Sequence, residues 1–206
     1  MTDEHVNQVE PLSVTSTSLL RCVQANDPAA WQRIVSLYSP LIFHWCQRAG
    51  LQAADAADVS QEVFRAVAHA IGAFRRDRPG DSFRGWLRVI TRNKLRDWAR
   101  QRQLEVPAVG GAELLDLLGH QDDNAKPTAD PADVAEDSQL LLRRALELIQ
   151  AEFEERRWQA FWRVTIEDQS PDQVALDLGM TANAVYLAKS RILRRLREEF
   201  VELLDI

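Results

Sequence analysis

Apolar residues recur along most of the chain at intervals of three and four positions, which is the period of an α-helix rather than a strand. The first clear run follows Asp27 and Pro28, an N-cap residue and a proline suited to the first helical position. Its apolar face consists of Trp31, Ile34, Val35, Tyr38, Leu41, Ile42 and Trp45. Pro40 lies inside this run, and we expect it to kink or divide the helix.

The same period predicts two further helices before residue 103. One runs from about residue 55 to residue 74, with Val63, Val67 and Phe74 on its apolar face. Residues 75–81 contain a proline and a glycine and are predicted to form a loop. Ser82 should then cap a third helix. The residues of that helix expected to point inward are Phe83, Trp86, Leu87, Ile90, Leu95 and Trp98.

Between residues 103 and 136 the periodicity is lost, and prolines, a glycine pair and many acidic residues replace it. This composition is typical of a flexible linker, here with one short helical turn expected at 113–118. Helical pattern resumes at about Ser138. The sequence therefore predicts an all-α fold of two small helical domains, residues 18–102 and 137–200, joined by a flexible acidic linker at 103–136. The residues before 18 carry no recognisable motif.

The most specific local pattern lies at residues 170–196. Ser170 and Gln173 are spaced as a capping box, Gly179 stands where a turn needs a left-handed backbone, and Thr181 is a natural N-cap. Val185 follows as the first apolar contact of a second helix. This spacing indicates a helix-turn-helix, whose second helix enters the DNA major groove. The candidate contacts to duplex DNA are Thr181, Asn183, Tyr186, Leu187, Lys189, Ser190, Arg191, Arg194 and Arg195. A plain helical hairpin with a solvated basic face is the alternative.

Charge is distributed unevenly along the 206 residues. The total is 25 basic and 31 acidic residues, a net charge of −6, which by itself argues against nucleic acid. Yet five arginines recur at every fourth position, on one side of the third helix: Arg84, Arg88, Arg92, Arg96 and Arg100. Such a face is often merely solubilising charge. A second basic helix in the same chain favours nucleic-acid binding instead.

Several classes of function find no support in the sequence. The two cysteines, Cys22 and Cys46, are far apart, and the four histidines show no metal-ligand spacing, so neither a metal nor another cofactor is expected. No catalytic or nucleotide-binding motif occurs, and we expect a protein that is not an enzyme. The acidic, polar N-terminus does not resemble a signal peptide, and no apolar run could span a bilayer. These features favour a cytoplasmic protein without membrane insertion.

Two separated segments resemble a known family. Residues 58–74 and 81–102, joined by a short basic loop, look like region 2 of a bacterial sigma factor of the sigma-70 family. The helix-turn-helix and its preceding helices, about 138–200, look like region 4. Their order and the acidic connector are similar to the extracytoplasmic-function (ECF) group of these transcription initiation factors.

The resemblance implies partners and site residues. Asp58, Gln61 and Glu62 match the helix that binds the β′ clamp of core RNA polymerase, and region 4 implies contact with the β flap. Other matched residues imply contact with a single-stranded −10 promoter element, melted from the duplex: Arg75, Arg76, Arg78, Ser82, Arg84, Arg88, Arg92, Asn93, Arg96 and Arg100. The second helix of the helix-turn-helix would read the duplex −35 element. Family members are often held inactive by an anti-sigma factor.

Two other classes of protein remain as alternatives. A dimeric helix-turn-helix regulator would explain residues 170–197 but neither the segment at 58–62 nor the arginine-bearing helix. An all-α adaptor whose basic faces bind acidic proteins would show no preference for nucleic acid. Transcription with purified core polymerase distinguishes the sigma factor from both.

Overall fold

The computed structural model describes residues 16–77, 81–105 and 131–204, and all regular structure within these ranges is helical. The all-α prediction is confirmed. The helices are α1 Ser16–Gln24, α2 Pro28–Arg48, α3 Ala53–Ala70, a 3-10 turn at Ile71–Ala73, α4 Phe83–Glu105, α5 Pro131–Gln150, α6 Glu155–Thr165, α7 Pro171–Asp177 and α8 Ala182–Leu204.

Helix α2 begins as the sequence predicts and runs past its internal proline. The Asp27 carboxylate accepts hydrogen bonds from the backbone N–H groups of Ala29, at 2.8 Å, and Ala30, at 3.0 Å. Pro40 does not divide the helix. Because Pro40 lacks an N–H, the carbonyl four residues earlier, that of Ser36, loses its helical partner. The Arg144 side chain of α5 donates to that carbonyl at 2.9 Å and replaces the missing bond.

Aromatic side chains occupy the place where α2, the 3-10 turn and α4 meet. The rings of Tyr38 and Phe83 lie edge to face with centroids 5.1 Å apart, and Phe74 meets Phe83 edge-on at 5.6 Å. Trp86 closes the group at 4.9 Å from Phe74. Ser82 caps α4 as expected, since its hydroxyl accepts the backbone N–H of Gly85 at 3.0 Å. This packing fixes the start of the arginine-bearing helix.

The main core crosses from the first half of the described chain to the second. Leu141, Ala145 and Ile149 of α5 are buried in the same cluster as Leu37 and Leu41 of α2. The C-terminal part of α8 joins it, and α8 packs against α1, α5 and α6. Helices α1–α4 and α5–α8 therefore pack directly on each other.

The predicted linker has different bounds from those expected. Residues 103–105 belong to α4, and residues 131–136 form the beginning of α5, earlier than the expected start near Ser138. Proline is favoured in the first helical turn, and the negative charge of Asp133 is favourable near a helix N-terminus. The acidic residues at 131–136, which indicated a linker, therefore belong to the beginning of a helix. Residues 106–130, including the expected turn at 113–118, lie outside the described residues, and the division into two domains stays a prediction.

Candidate nucleic-acid and polymerase interface

The exposed face of α8 carries six of the predicted duplex contacts. Asn183, Tyr186, Leu187, Ser190, Arg191 and Arg194 follow a three- and four-residue spacing and are all exposed. The opposite face is buried through Val185, Ala188 and Ile192. Two large apolar side chains stand out: Tyr186 is 56% and Leu187 48% exposed. The helix thus presents one continuous polar and aromatic surface that can enter a groove.

The turn before α8 has the geometry of a helix-turn-helix. Gly179 has φ +59°, the left-handed conformation expected there. The Thr181 hydroxyl accepts the backbone N–H of Ala184 at 3.1 Å and so caps α8. Val174, Ala175 and Val185 are buried together with Ala160 of α6, which closes a small separate core beneath the turn.

Two arginines of α6 hold this turn, and the sequence reasoning missed both. Arg156 donates from Nε to the Leu178 carbonyl at 2.7 Å and also to the Gly179 carbonyl. Arg163 donates to the Gln169 side chain at 2.7 Å and pairs with Asp177. The Arg163 hydrogen bond lowers the pKa of Asp177. No motif indicated these contacts, because Arg156 reaches backbone carbonyls that follow α7 and Arg163 reaches side chains before and within α7.

The predicted capping box at the start of α7 does not form. Ser170 occupies the N-cap position, but its side chain makes no capping hydrogen bond. Gln173 instead donates to Asp177 at 2.7 Å, one helical turn further on. In a capping box the Gln173 oxygen would accept the backbone N–H of the N-cap residue, whereas here the Gln173 amide N–H donates to the Asp177 carboxylate in a charge-assisted hydrogen bond.

The other predicted DNA contacts in and just before α8, together with Arg194, differ in their surroundings. Lys189 is half-buried, Thr181 is exposed, and Arg194 lies 3.6 Å from Glu198 on the helix surface. Arg195 is engaged within the chain. It donates to both oxygens of Glu152, at 2.6 and 2.8 Å, and pairs with Glu199. Although burial alone would lower the pKa of Arg195, these carboxylates raise it, so Arg195 stays charged and bound to them.

The arginines of α4 do not all face solvent. Arg100 is exposed, whereas Arg92, Arg96 and Asn93 are half-buried. Arg84 donates to the Ser138 hydroxyl at 2.6 Å. Arg88 donates to Asp133 at 3.1 Å and to Asp137 at 3.2 Å, both on α5. The expectation that these two arginines face outward is therefore not met in this arrangement, because α5 lies across them.

The loop before α4 is described in part. Arg75 and Arg76 are exposed, and Arg75 donates to the carbonyls of Gly72 and Phe74, both at 2.8 Å. Ser82 serves as the cap of α4. Arg78 lies outside the described residues.

The predicted polymerase-binding residues share the outer face of α3. Asp58, Gln61 and Glu62 are exposed, while Val59 and Val63 between and beside them are buried. Glu62 pairs with Arg65 on the same face. These three side chains thus form a surface of two carboxylates and one amide on the outside of α3. The inner side of the helix packs on α2 and α4.

Three acidic residues of α5 form a further cluster, which we call the α5 acidic face: Asp133, Glu136 and Asp137. Arg48 of α2 donates to Asp133 at 2.8 Å and to Glu136 at 3.2 Å. The Trp45 indole donates to Asp137 at 2.8 Å. Because Arg48 donates to it, the pKa of Asp133 is lowered, whereas burial raises the pKa of Asp137. Because residues 103–136 were interpreted as a linker, this cluster was not predicted from the sequence.

The described ranges contain neither a cluster of metal-ligating side chains nor a helix able to span a membrane. No group of His, Cys, Asp or Glu side chains there is arranged to hold a metal ion. None of the helices found there is long and apolar enough to cross a membrane.

Comparison with known proteins identifies the first half of the chain. Residues 34–105 match the model of sigma-70 region 2. Over 88 residues the chain is 34% identical to the RNA polymerase sigma factor CnrH of Cupriavidus metallidurans, which covers 43% of this chain and 44% of that protein. The alignment thus spans less than half the length of either protein. These findings agree with the sequence resemblance to an ECF sigma factor of the sigma-70 family, and they place the similarity to sigma-70 region 2 at residues 34–105.

Proposed function

We propose that the protein is an ECF-type sigma factor that binds core RNA polymerase and directs it to specific promoters. The observation that carries the proposal is the match of residues 34–105 to sigma-70 region 2, in a chain that also presents a helix-turn-helix with an exposed reading face. The same chain would thus contact a promoter at two places while attached to the enzyme that transcribes it.

The polymerase contact would be the outer face of α3. Asp58, Gln61 and Glu62 offer two carboxylates and an amide on a helix whose inner face is locked in the core. Such exposed charges would set the register against a basic surface of the β′ clamp and accelerate association, more than they would supply affinity. The β flap would be contacted by the second half of the chain.

The −10 contact would be built around α4 and the loop before it. Asn93 has an amide that can donate to and accept from the edge of an extruded base. The arginines of α4 and the loop would follow the phosphates of the melted strand, and their contribution would decrease steeply with salt.

The −35 contact would be the exposed face of α8 in the major groove of duplex DNA. Asn183 and Arg191 can donate to base edges, and Tyr186 and Leu187 can pack against thymine methyl groups. In this function the protein supplies specificity and helps to open the duplex, and it forms no covalent bonds. It would act in the cytoplasm, without a cofactor, and an anti-sigma factor would be one means of control.

Charge reversal on α3 tests the polymerase contact. Asp58→Lys with Glu62→Lys should abolish co-elution with purified core polymerase, because two repulsive charges replace the attractive ones. The matched control is Asp77→Lys with Asp97→Lys, which makes the same change at exposed positions before and within α4, outside both proposed polymerase contacts. Normal co-elution of the α3 variant would overturn the assignment of this surface.

A further inference from the structure

The two arginines at the beginning of the α4 stripe face carboxylates instead of solvent. Arg88 is bound by Asp133 and Asp137 together, and its guanidinium lies 5.7 Å from the centre of the Trp45 ring. Only 24% of the Arg88 side chain is exposed. Arg84 is directed to Ser138 and to the carbonyl of Val134. Apart from Trp45, which belongs to α2, these partners all lie in the first two turns of α5.

The spacing of the charges on the two helices is complementary. Arg84 and Arg88 lie one turn apart on α4, and Asp133 and Asp137 lie one turn apart on α5. A guanidinium binds carboxylate and phosphate through the same forked arrangement of N–H groups. The α5 acidic face therefore presents to α4 the same chemistry that a nucleic-acid backbone would present.

Resting on the proposed function, we propose that the α5 acidic face is an intramolecular competitor of promoter DNA, which occupies Arg84 and Arg88 until a strand displaces it. In the closed arrangement a phosphate cannot reach Arg88 without breaking its contacts to Asp133 and Asp137. The three acidic side chains also repel an approaching strand. The apolar part of the interface, around Leu141 and Ala145, holds α5 against α2. The α5 acidic face determines whether the arginines of α4 contact carboxylates or a strand.

Arg48 stabilises the competitor from the opposite side. It binds Asp133 and Glu136 from α2, its side chain is 46% exposed, and it is not among the residues matched to DNA. Loss of Arg48 should therefore loosen the α5 acidic face without changing α4. Removal of a cation by itself weakens the binding of an anion. Tighter binding of the strand after loss of Arg48 would therefore indicate release of the α4 arginines and not a simple effect of charge.

The test is the affinity of the full chain for a fluorescein-labelled single-stranded oligothymidine, measured by fluorescence anisotropy at low salt. Arg48→Gln should bind the strand about tenfold more tightly than the unchanged protein, the factor expected if about 90% of the molecules are closed. Asp133→Asn with Asp137→Asn should bind more tightly as well, since both asparagines keep the shape of the side chains they replace.

Two controls isolate the interface. Arg157→Gln removes the same charge from an exposed arginine of α6 that pairs with Glu154, the residue just before that helix, and the affinity of this variant for the strand should be unchanged or lower. Addition of Arg88→Gln to Arg48→Gln should abolish the gain, because the released arginine is then missing. Urea unfolding of each variant establishes that it is folded under the binding conditions.

Unchanged or weaker binding by both Arg48→Gln and the double asparagine variant would overturn the proposal, as would a gain that persists without Arg88. Failure of this proposal can be distinguished from failure of the proposed function. Tighter binding without polymerase-dependent transcription would support the competition and reject the sigma role. Polymerase-dependent transcription, without tighter strand binding by either variant, would support the sigma role and reject the competition.

Discussion

At the scale of the residue, Asp137 shows how one buried carboxylate serves two partners. Its side chain is 2% exposed and accepts from the Trp45 indole while it faces the Arg88 guanidinium. Burial raises the pKa of this carboxyl, so the charged form gains little net stability from its position. The hydrogen bond to Trp45 does not need the charge, and an asparagine oxygen can accept it equally well.

Substitutions at Asp137 should therefore separate shape from charge. We expect Asp137→Asn to change the free energy of unfolding by less than about 1 kcal/mol, because the Trp45 hydrogen bond remains. Asp137→Ala should cost about 2–3 kcal/mol, since it leaves the buried indole N–H without an acceptor. Urea unfolding followed by circular dichroism measures both. Equal losses for the two variants would show that the charge, and not the hydrogen bond, stabilises this contact.

The two cysteines should differ sharply in reactivity. Cys46 is fully buried, and desolvation raises its pKa to about 11, while Cys22 is partly exposed. Because the thiolate is the reactive form, a disulfide reagent at pH 8 should modify one thiol rapidly in the native protein. Cys46 should react only in urea, or as pH approaches its raised pKa. The variant Cys22→Ser should then have no fast-reacting thiol, and rapid modification of this variant would contradict the burial of Cys46.

Single residues with a strong local preference could be predicted from the sequence. The caps Asp27, Ser82 and Thr181 are confirmed, because a side-chain oxygen just before a helix has few alternatives to the nearby N–H groups. The capping box at Ser170 was predicted wrongly: Ser170 is the N-cap residue but makes no capping hydrogen bond, and Gln173 donates to Asp177, which the local motif does not include. The roles of Arg84 and Arg88 depend on a helix 45 or more residues away, and no local pattern reveals them.

At the scale of the element, the helix-turn-helix depends on the backbone of Gly179. Its φ of +59° is costly for a residue with a Cβ, although a Cβ there would meet only the Arg156 side chain at 3.4 Å. We expect Gly179→Ala to lower the free energy of unfolding by about 1–2 kcal/mol, the cost of the left-handed conformation. Urea unfolding measures this loss.

Gly72 provides a matched control for that substitution. It has no positive φ, and a Cβ placed on it meets nothing within 4 Å. Gly72→Ala should therefore change stability by less than about 0.5 kcal/mol. A loss at Gly179 no larger than the loss at Gly72 would contradict the strained turn.

The helices themselves were predictable to the extent that their apolar faces repeat. The runs that became α2, α3, α4 and α8 have such faces, and most of their inner residues are buried or packed against the core as expected, whereas Val35 of α2 is exposed. The beginning of α5 was not found, because its first turns are acidic and their burial comes from α2 and α4 instead of from a local apolar stripe. Pro40 remained inside α2 because Arg144 of α5 satisfies the carbonyl that it leaves free. Both outcomes depend on contacts between distant parts of the chain.

At the scale of the whole molecule, the described helices form a closed arrangement in which the two predicted DNA-binding surfaces differ in access. The reading face of α8 is open to solvent, whereas the beginning of the α4 stripe is covered by α5. Arg33 of α2 also pairs with Glu199 of α8 at 2.9 Å, which adds an ionic contact between the two halves away from the α5 acidic face. Under the proposed competition, DNA would engage α8 first, and engagement of α4 would require displacement of the α5 acidic face.

Transcription in vitro tests the central claim most directly. Purified core RNA polymerase, with and without this protein, is supplied with a library of promoter fragments from the same genome. We predict discrete transcripts that appear only when the protein is added, with shared sequence elements near −35 and −10 upstream of their start sites. No protein-dependent transcript, together with tight binding of the protein alone to duplex DNA, would contradict the account and indicate a helix-turn-helix regulator instead.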